Sequence, residues 1–179
     1  VIALAFFVGL FLLIPMLGAR GLTAAFGLSP LAFHAIEGLC SLGFFLGYLT
    51  LIGKVPDINR VFQYHGAEHK AIAAYENGVE LNAQEAQKFT TQHVRCGTNF
   101  LLTVFVIAIF LYSLVGRPSV LVLVASRVVL VPVIAGLAYE VIRFAARNMQ
   151  RRWVRVLMIP GLTLQRLTTR EPSLEQIEI

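Results

Sequence analysis

The chain has 179 residues, 57% of them hydrophobic and only 14% charged, with a mean hydropathy of +0.73. That composition excludes an ordinary soluble domain and leaves an integral membrane protein. The net charge of +5 comes mainly from arginines beyond Arg143 with no nucleic-acid motif beside them, so it reads as a topology and headgroup signal rather than as nucleic-acid binding.

The sequence starts at Val1, without Met, already inside an apolar run. It carries no basic n-region or small-residue cleavage site of a signal peptide, so an amino-terminal segment is expected to be missing. Residues 1–17 suit the end of a spanning helix, which needs about 20 residues, and Arg20 to Pro30 read as a short connection. A second span is expected over residues 31–52, where Gly38, Gly43 and Gly47 offer small surfaces for close packing. Gly53 to Val55 with Pro56 ends it.

Residues 53–98 form the one long polar segment. Ala67 to Glu76 reads as an amphipathic helix stopped at Asn77 and Gly78. Asn82 to Gln92 reads as a short helix capped by Asn82, with Glu85 placed as in a capping box. Residues 99–115 and 120–142 are the third and fourth spans, joined by a turn at Gly116, Arg117 and Pro118, the fourth carrying Arg127 and Pro132. From Arg143 onward, Arg147, Arg151, Arg152 and Arg155 suit a basic helix on a headgroup surface that ends at Pro160 and Gly161. The tail from Thr168 reads as polar and extended. The expected fold is a single all-α membrane domain, polytopic with about four transmembrane helices, a helical polar loop and a basic carboxy-terminal segment over residues 143–179. No alternating barrel pattern competes with it.

Lys and Arg are distributed unevenly: Arg20 in the first connection, Lys54, Arg60, Lys70, Lys88 and Arg95 in the polar loop, Arg117 in the second hairpin, and seven arginines from Arg143 on. The positive-inside rule then puts the polar loop and the tail in the cytoplasm and the hairpins at Arg20 and Arg117 outside. Cys40 in an apolar segment and Cys96 in a polar one make a poor disulfide pair, so nothing points to an oxidising compartment.

Within the loop, His65, Gly66, Ala67, Glu68 and His69 follow the order H-x-x-E-H. Four residues is about one helical turn, so both imidazoles share a face. In this order two histidines hold zinc and the glutamate serves as general base. His93 and Cys96 supply a third and a fourth ligand, and three or four filled positions would make a catalytic or a structural site respectively. The expected cofactor is a divalent metal, zinc by ligand type; the alternative is a solvated polar face beside the membrane. His34 and Glu37 on the second span and Arg127 and Glu140 on the fourth are ionisable residues in apolar helices, so each is paired or functional. His34 and Glu37, one turn apart, suit a local pair, whereas Arg127 and Glu140 lie about 20 Å apart along their helix. Tyr139 reads as a membrane-interface residue, and the charges at Arg170 and Glu171 as a solvated terminus within reach of the loop.

The strings YHGAEHKAIAAYENG (Tyr64 to Gly78), HVRCGTNFLL (His93 to Leu102), PVIAGLAYEVIR (Pro132 to Arg143) and PGLTLQRLTTREP (Pro160 to Pro172) together resemble the YqhQ-like bacterial membrane family. The resemblance covers nearly the whole chain. It implies a bacterial cytoplasmic membrane protein, a metal dependence carried by His65, Glu68, His69, His93 and Cys96 with Glu140 and Arg170 as neighbours, and an additional amino-terminal segment before the first span. Three functions stay open: a metal-dependent hydrolase with Glu68 as its catalytic base, a scaffold or biogenesis factor with a structural metal that docks a protein partner or a second copy, and an oligomeric transporter using His34, Glu37 and Arg127.

Overall fold

Four helices are long and apolar enough to cross a membrane: Gly9–Phe26, Pro30–Ile52, Gly97–Val115 and Val120–Arg147. Their 18 to 28 residues bracket the roughly 20 that a hydrocarbon core demands. The chain is thus an all-helical, multi-pass membrane protein. The computed structural model describes residues 6, 9–116 and 119–178; Arg117 and most of the first eight residues of the expected first span lie outside them.

The first spanning segment begins with a π-turn, Gly9–Leu13, and continues as α1, Ile14–Phe26. It therefore runs through Arg20 and past Leu17, where a connection was expected. Arg20 is exposed on the helix, where a long side chain keeps its charge in a polar layer while its stem covers apolar surface. The real stop is Gly27, whose left-handed φ of 62° lets its N–H close on the carbonyl of Thr23. Next come α2 (Pro30–Ile52), α3 (Pro56–Glu76), α4 (Ala83–Gln87), α5 (Gly97–Val115), α6 (Val120–Arg147), α7 (Arg152–Leu164) and α8 (Leu174–Ile177).

Helix α3 starts eleven residues before the expected Ala67, because Pro56 at its first position and Asp57 in its first turn are both favourable there. It ends at the predicted place, with Gly78 at φ 67° just beyond. Asn82 caps α4 as expected, its side chain accepting from the Glu85 N–H at 2.8 Å. Glu85 does not complete the reciprocal box; its carboxylate takes Lys88 at 2.5 Å, and the helix is only five residues long.

The basic segment is not one helix. The fourth span reaches Arg147, a turn intervenes, and α7 follows. Pro160 lies inside α7 rather than at its end. The carbonyl it deprives of a donor belongs to Val156, on the exposed side of the helix. Val154, Met158 and Gly161, one turn apart in succession, are the buried stripe.

The described residues group into two units, one within Val1–Gly47 and Leu101–Val141, the other Tyr48–Phe100 with Ile142–Ile179. In the first, Met16, Ala19, Phe33 and Leu123 form the core, with Ile36 against it. Gly38 is a close-packing site as expected, since a Cβ there would strike Ile109; Gly43 and Gly47 meet nothing within 4 Å. In the second, Ile142, Ala145, Val154 and Met158 pack with Val94, Phe100, Met149 and Leu162. The tail is docked rather than free: Thr168 and Thr169 are buried, and Arg170 donates its backbone N–H to the Phe62 carbonyl at 2.9 Å.

Candidate metal centre

His65 and His69 sit one turn apart on α3, with ring centroids 4.5 Å apart, and Cys96 stands immediately before α5. One ligand atom from each of the three lies within 4.8 Å of the others. The chain fixes which ring nitrogens face inward. His65 Nδ1 donates to the Thr168 carbonyl at 2.8 Å, and His69 Nδ1 donates to the Thr91 carbonyl at 2.6 Å. Each ring thereby spends its Nδ1 proton on a carbonyl and turns Nε2 toward the centre, the usual arrangement of a metal-ligating histidine. His65 Nε2 is 3.4 Å from Cys96 Sγ.

Burial pushes the Cys96 thiol up, but hydrogen bonds from His65, His69 and Thr98 outweigh it and bring it from 9.0 down to about 5. The same contact with Cys96 raises His65 above the ordinary imidazole value; burial opposes this, and the Thr168 carbonyl and the charges of Cys96 and Glu68 add to it. A thiolate beside two oriented imidazoles is a soft donor set, which suits zinc.

The other predicted residues are placed differently. His93 is near, its ring 5.9 Å from that of His69, yet its Nε2 donates to Glu76 Oε2 at 3.2 Å. Arg95 holds the second oxygen of Glu76 at 2.5 Å. Buried Gln165 clamps the His93 backbone from both sides, accepting from its N–H and donating to its carbonyl, each at 2.8 Å. His93 is thus engaged beside the three-residue group rather than within it. Glu68 is exposed on α3, next to His69 in sequence. Arg170 donates its guanidinium to the carbonyls of Arg166 and Thr169 while its backbone crosses α3. Glu140 and Tyr139 are both exposed and belong to the other unit. There, His34 and Glu37 form the expected pair at 3.0 Å, and Glu37 is also the partner of Arg127.

Sequence reasoning missed the groups that orient the site. Thr91 and Thr168 act through backbone carbonyls, which carry no residue signature. Buried Lys70 ties the loop together by donating to the carbonyls of Gln87 (2.8 Å) and Phe89 (2.6 Å) and pairing with Glu171 at 2.8 Å. Its one legible signal is a lysine on the inner face of an amphipathic helix.

No solved structure matches the chain significantly. An uncharacterized protein, YqhQ of Bacillus subtilis (strain 168), is 38% identical over 169 residues, which cover 94% of this chain and 53% of that protein. The chain therefore spans about half the length of this curated relative. A family described as a protein of unknown function (DUF1385) matches residues 1–179, and the chain belongs to that family.

Proposed function

We propose that this chain is a membrane-bound, metal-dependent hydrolase in which His65, His69 and Cys96 hold a zinc ion and Glu68 is the general base. The observation that carries the reading is the convergence of two Nε2 atoms and a thiolate, each imidazole pinned from behind by a backbone carbonyl. Three protein ligands leave one position of a tetrahedral zinc open, the pattern of catalytic rather than structural sites. Zinc supplies Lewis acidity there. Glu68, exposed beside His69, would take the proton from an attacking water. In Glu68→Gln, zinc content is expected to stay at the wild-type level while hydrolysis of a membrane-derived peptide or lipid substrate falls by about 100-fold or more. Loss of zinc in that variant would make Glu68 part of the metal site instead, and unchanged hydrolysis would remove it from catalysis.

A second reading is favoured by one distance. Cys96 Sγ at 3.4 Å from His65 Nε2, with His65 Nδ1 bonded to Thr168, is also the geometry of a thiol nucleophile with its base and orienting group. Activity that survives complete zinc removal but not Cys96→Ser would select it.

The charge distribution supports a bacterial cytoplasmic membrane location with the polar loop and tail inside. The partner we assign to α7 is the headgroup layer. Trp153, Val156 and Leu157 are exposed there beside Arg152 and Arg155, and the helix follows a spanning segment by one short turn. Trp153 is the chain's single tryptophan. In vesicles containing brominated lipid its fluorescence is expected to be quenched strongly; emission indifferent to bromine would place α7 away from the bilayer.

A further inference from the structure

The polar cluster of the membrane unit takes no part in the metal centre, and its protons and charges do not balance. His34 directs Nδ1 to Glu37 Oε2 and Nε2 to the Gly116 carbonyl, both at 3.0 Å. A carboxylate and a carbonyl only accept, and a neutral imidazole has one N–H to give. Serving both contacts takes a second proton, shared along the His34–Glu37 bond. That proton leaves the pair with no net charge, whichever atom holds it.

Arg127 adds one positive charge. Its Nη2 donates to both oxygens of Glu37, at 2.5 and 2.6 Å, and its Cζ lies 3.8 Å from the ring centroid of Tyr112. The side chains of His34, Glu37 and Arg127 are 1%, 10% and 11% exposed. Arg127 Nη1 is buried and has no hydrogen-bond partner among the described residues. The cluster thus lacks one negative charge and one acceptor, and both deficits are costly inside apolar helices.

An oxyanion supplies both at once. We propose that Arg127, framed by Glu37, His34 and Tyr112, binds a singly charged phosphate oxyanion, the phosphodiester of an anionic lipid headgroup. The phosphodiester fits on charge, since it carries one negative charge against the cluster's single positive one. One of its oxygens can accept from Nη1, the nitrogen that Glu37 leaves unpartnered, and a guanidinium is the side chain best suited to phosphate. It fits on depth as well. His34 is in the second turn of α2, Gly116 directly follows α5, and Arg127 is two turns into α6, so the cluster lies within about 10 Å of those helix ends. A headgroup drawn inward and an arginine reaching outward meet at that level.

The test uses the full chain, delipidated in detergent and titrated with dihexanoyl phosphatidylglycerol or with inorganic phosphate, read by native mass spectrometry. The short-chain lipid is expected to bind at one site per chain and more tightly than inorganic phosphate. Arg127→Gln is expected to weaken it at least about tenfold. Glu37→Gln replaces the carboxylate that competes for the guanidinium with a neutral amide, a weaker acceptor, so binding should hold or tighten, whereas a purely structural ion pair would suffer from both changes alike. Arg127→Lys, which keeps the charge but not the fork, replaces Arg127→Gln if that variant does not give monodisperse, helical protein. Equal binding by wild type and the Arg127 variant would overturn the site, weakening in Glu37→Gln equal to that in the Arg127 variant would reduce the cluster to a structural pair, and inorganic phosphate binding as tightly as the lipid would overturn the headgroup as its source.

Discussion

In metal-stripped protein carrying Cys40→Ser, alkylation of Cys96 by iodoacetamide is expected to be flat from about pH 9 to pH 6 and to fall to half only near pH 5, following the thiolate. The absolute rate at neutral pH is a poor discriminator. Lowering a thiol from 9.0 to about 5 raises its thiolate fraction at pH 7 about 100-fold. The less basic sulfur is about 40–100-fold less nucleophilic, so the two effects nearly cancel. At pH 6 the gain in thiolate is about 900-fold and the advantage over an ordinary thiol becomes about 10–20-fold. The shape of the profile is therefore the measurement.

Zinc added to the same sample should suppress alkylation at one equivalent, because the thiolate becomes a ligand. The protection should disappear in His65→Ala, and zinc affinity should fall by more than the roughly 10–100-fold typical of a lost outer-sphere partner. A profile still rising at pH 9 would deny the thiolate its oriented imidazoles. Full reactivity in the presence of zinc would leave the thiol nucleophile as the surviving reading.

The long elements were legible because lipid imposes a strict test of length and apolarity, which Pro30–Ile52 and Val120–Arg147 meet without ambiguity. Boundaries were harder where a residue's usual meaning was overridden. Arg20 reads as a loop residue and Pro160 as a stop, yet each lies on an exposed side of a helix where its cost is small. In the site, helical spacing alone put His65 and His69 on one face, and the downstream cysteine supplied the third member. Choosing Cys96 over His93 needed the third dimension, since Glu76 and Gln165 engage His93 from positions 17 residues before and 72 residues after it. The role of the tail was invisible because Thr168 contributes a carbonyl, a group that every residue has. The partnership of Arg127 with Glu37 was equally hidden, spanning 90 residues between helices that sequence cannot dock.

Gly66, the second residue of the motif, should be as intolerant of change as the ligands themselves. A Cβ at this position would overlap the backbone carbonyl oxygen of Arg170, and it would also press on Thr91. Alanine is normally welcome in a helix interior, where it gains about 1 kcal/mol over glycine. Here the obstacle is backbone, and forcing atoms into a packed contact costs about 1–3 kcal/mol. The tail cannot simply swing aside, because the Arg170 N–H is bonded to the Phe62 carbonyl and the Thr168 hydroxyl to that of Thr98 at 2.9 Å. Moving it would also withdraw the carbonyl that orients His65. Gly66→Ala should therefore lower thermal stability and weaken zinc binding about 10–100-fold together. Thr168→Ala keeps that carbonyl while losing the hydroxyl, so it should cost about 1 kcal/mol of stability yet leave zinc binding near wild type. Gly66→Ala with undiminished zinc affinity would mean that the tail does not orient the site, and that the glycine serves only the crossing of Arg170 over α3.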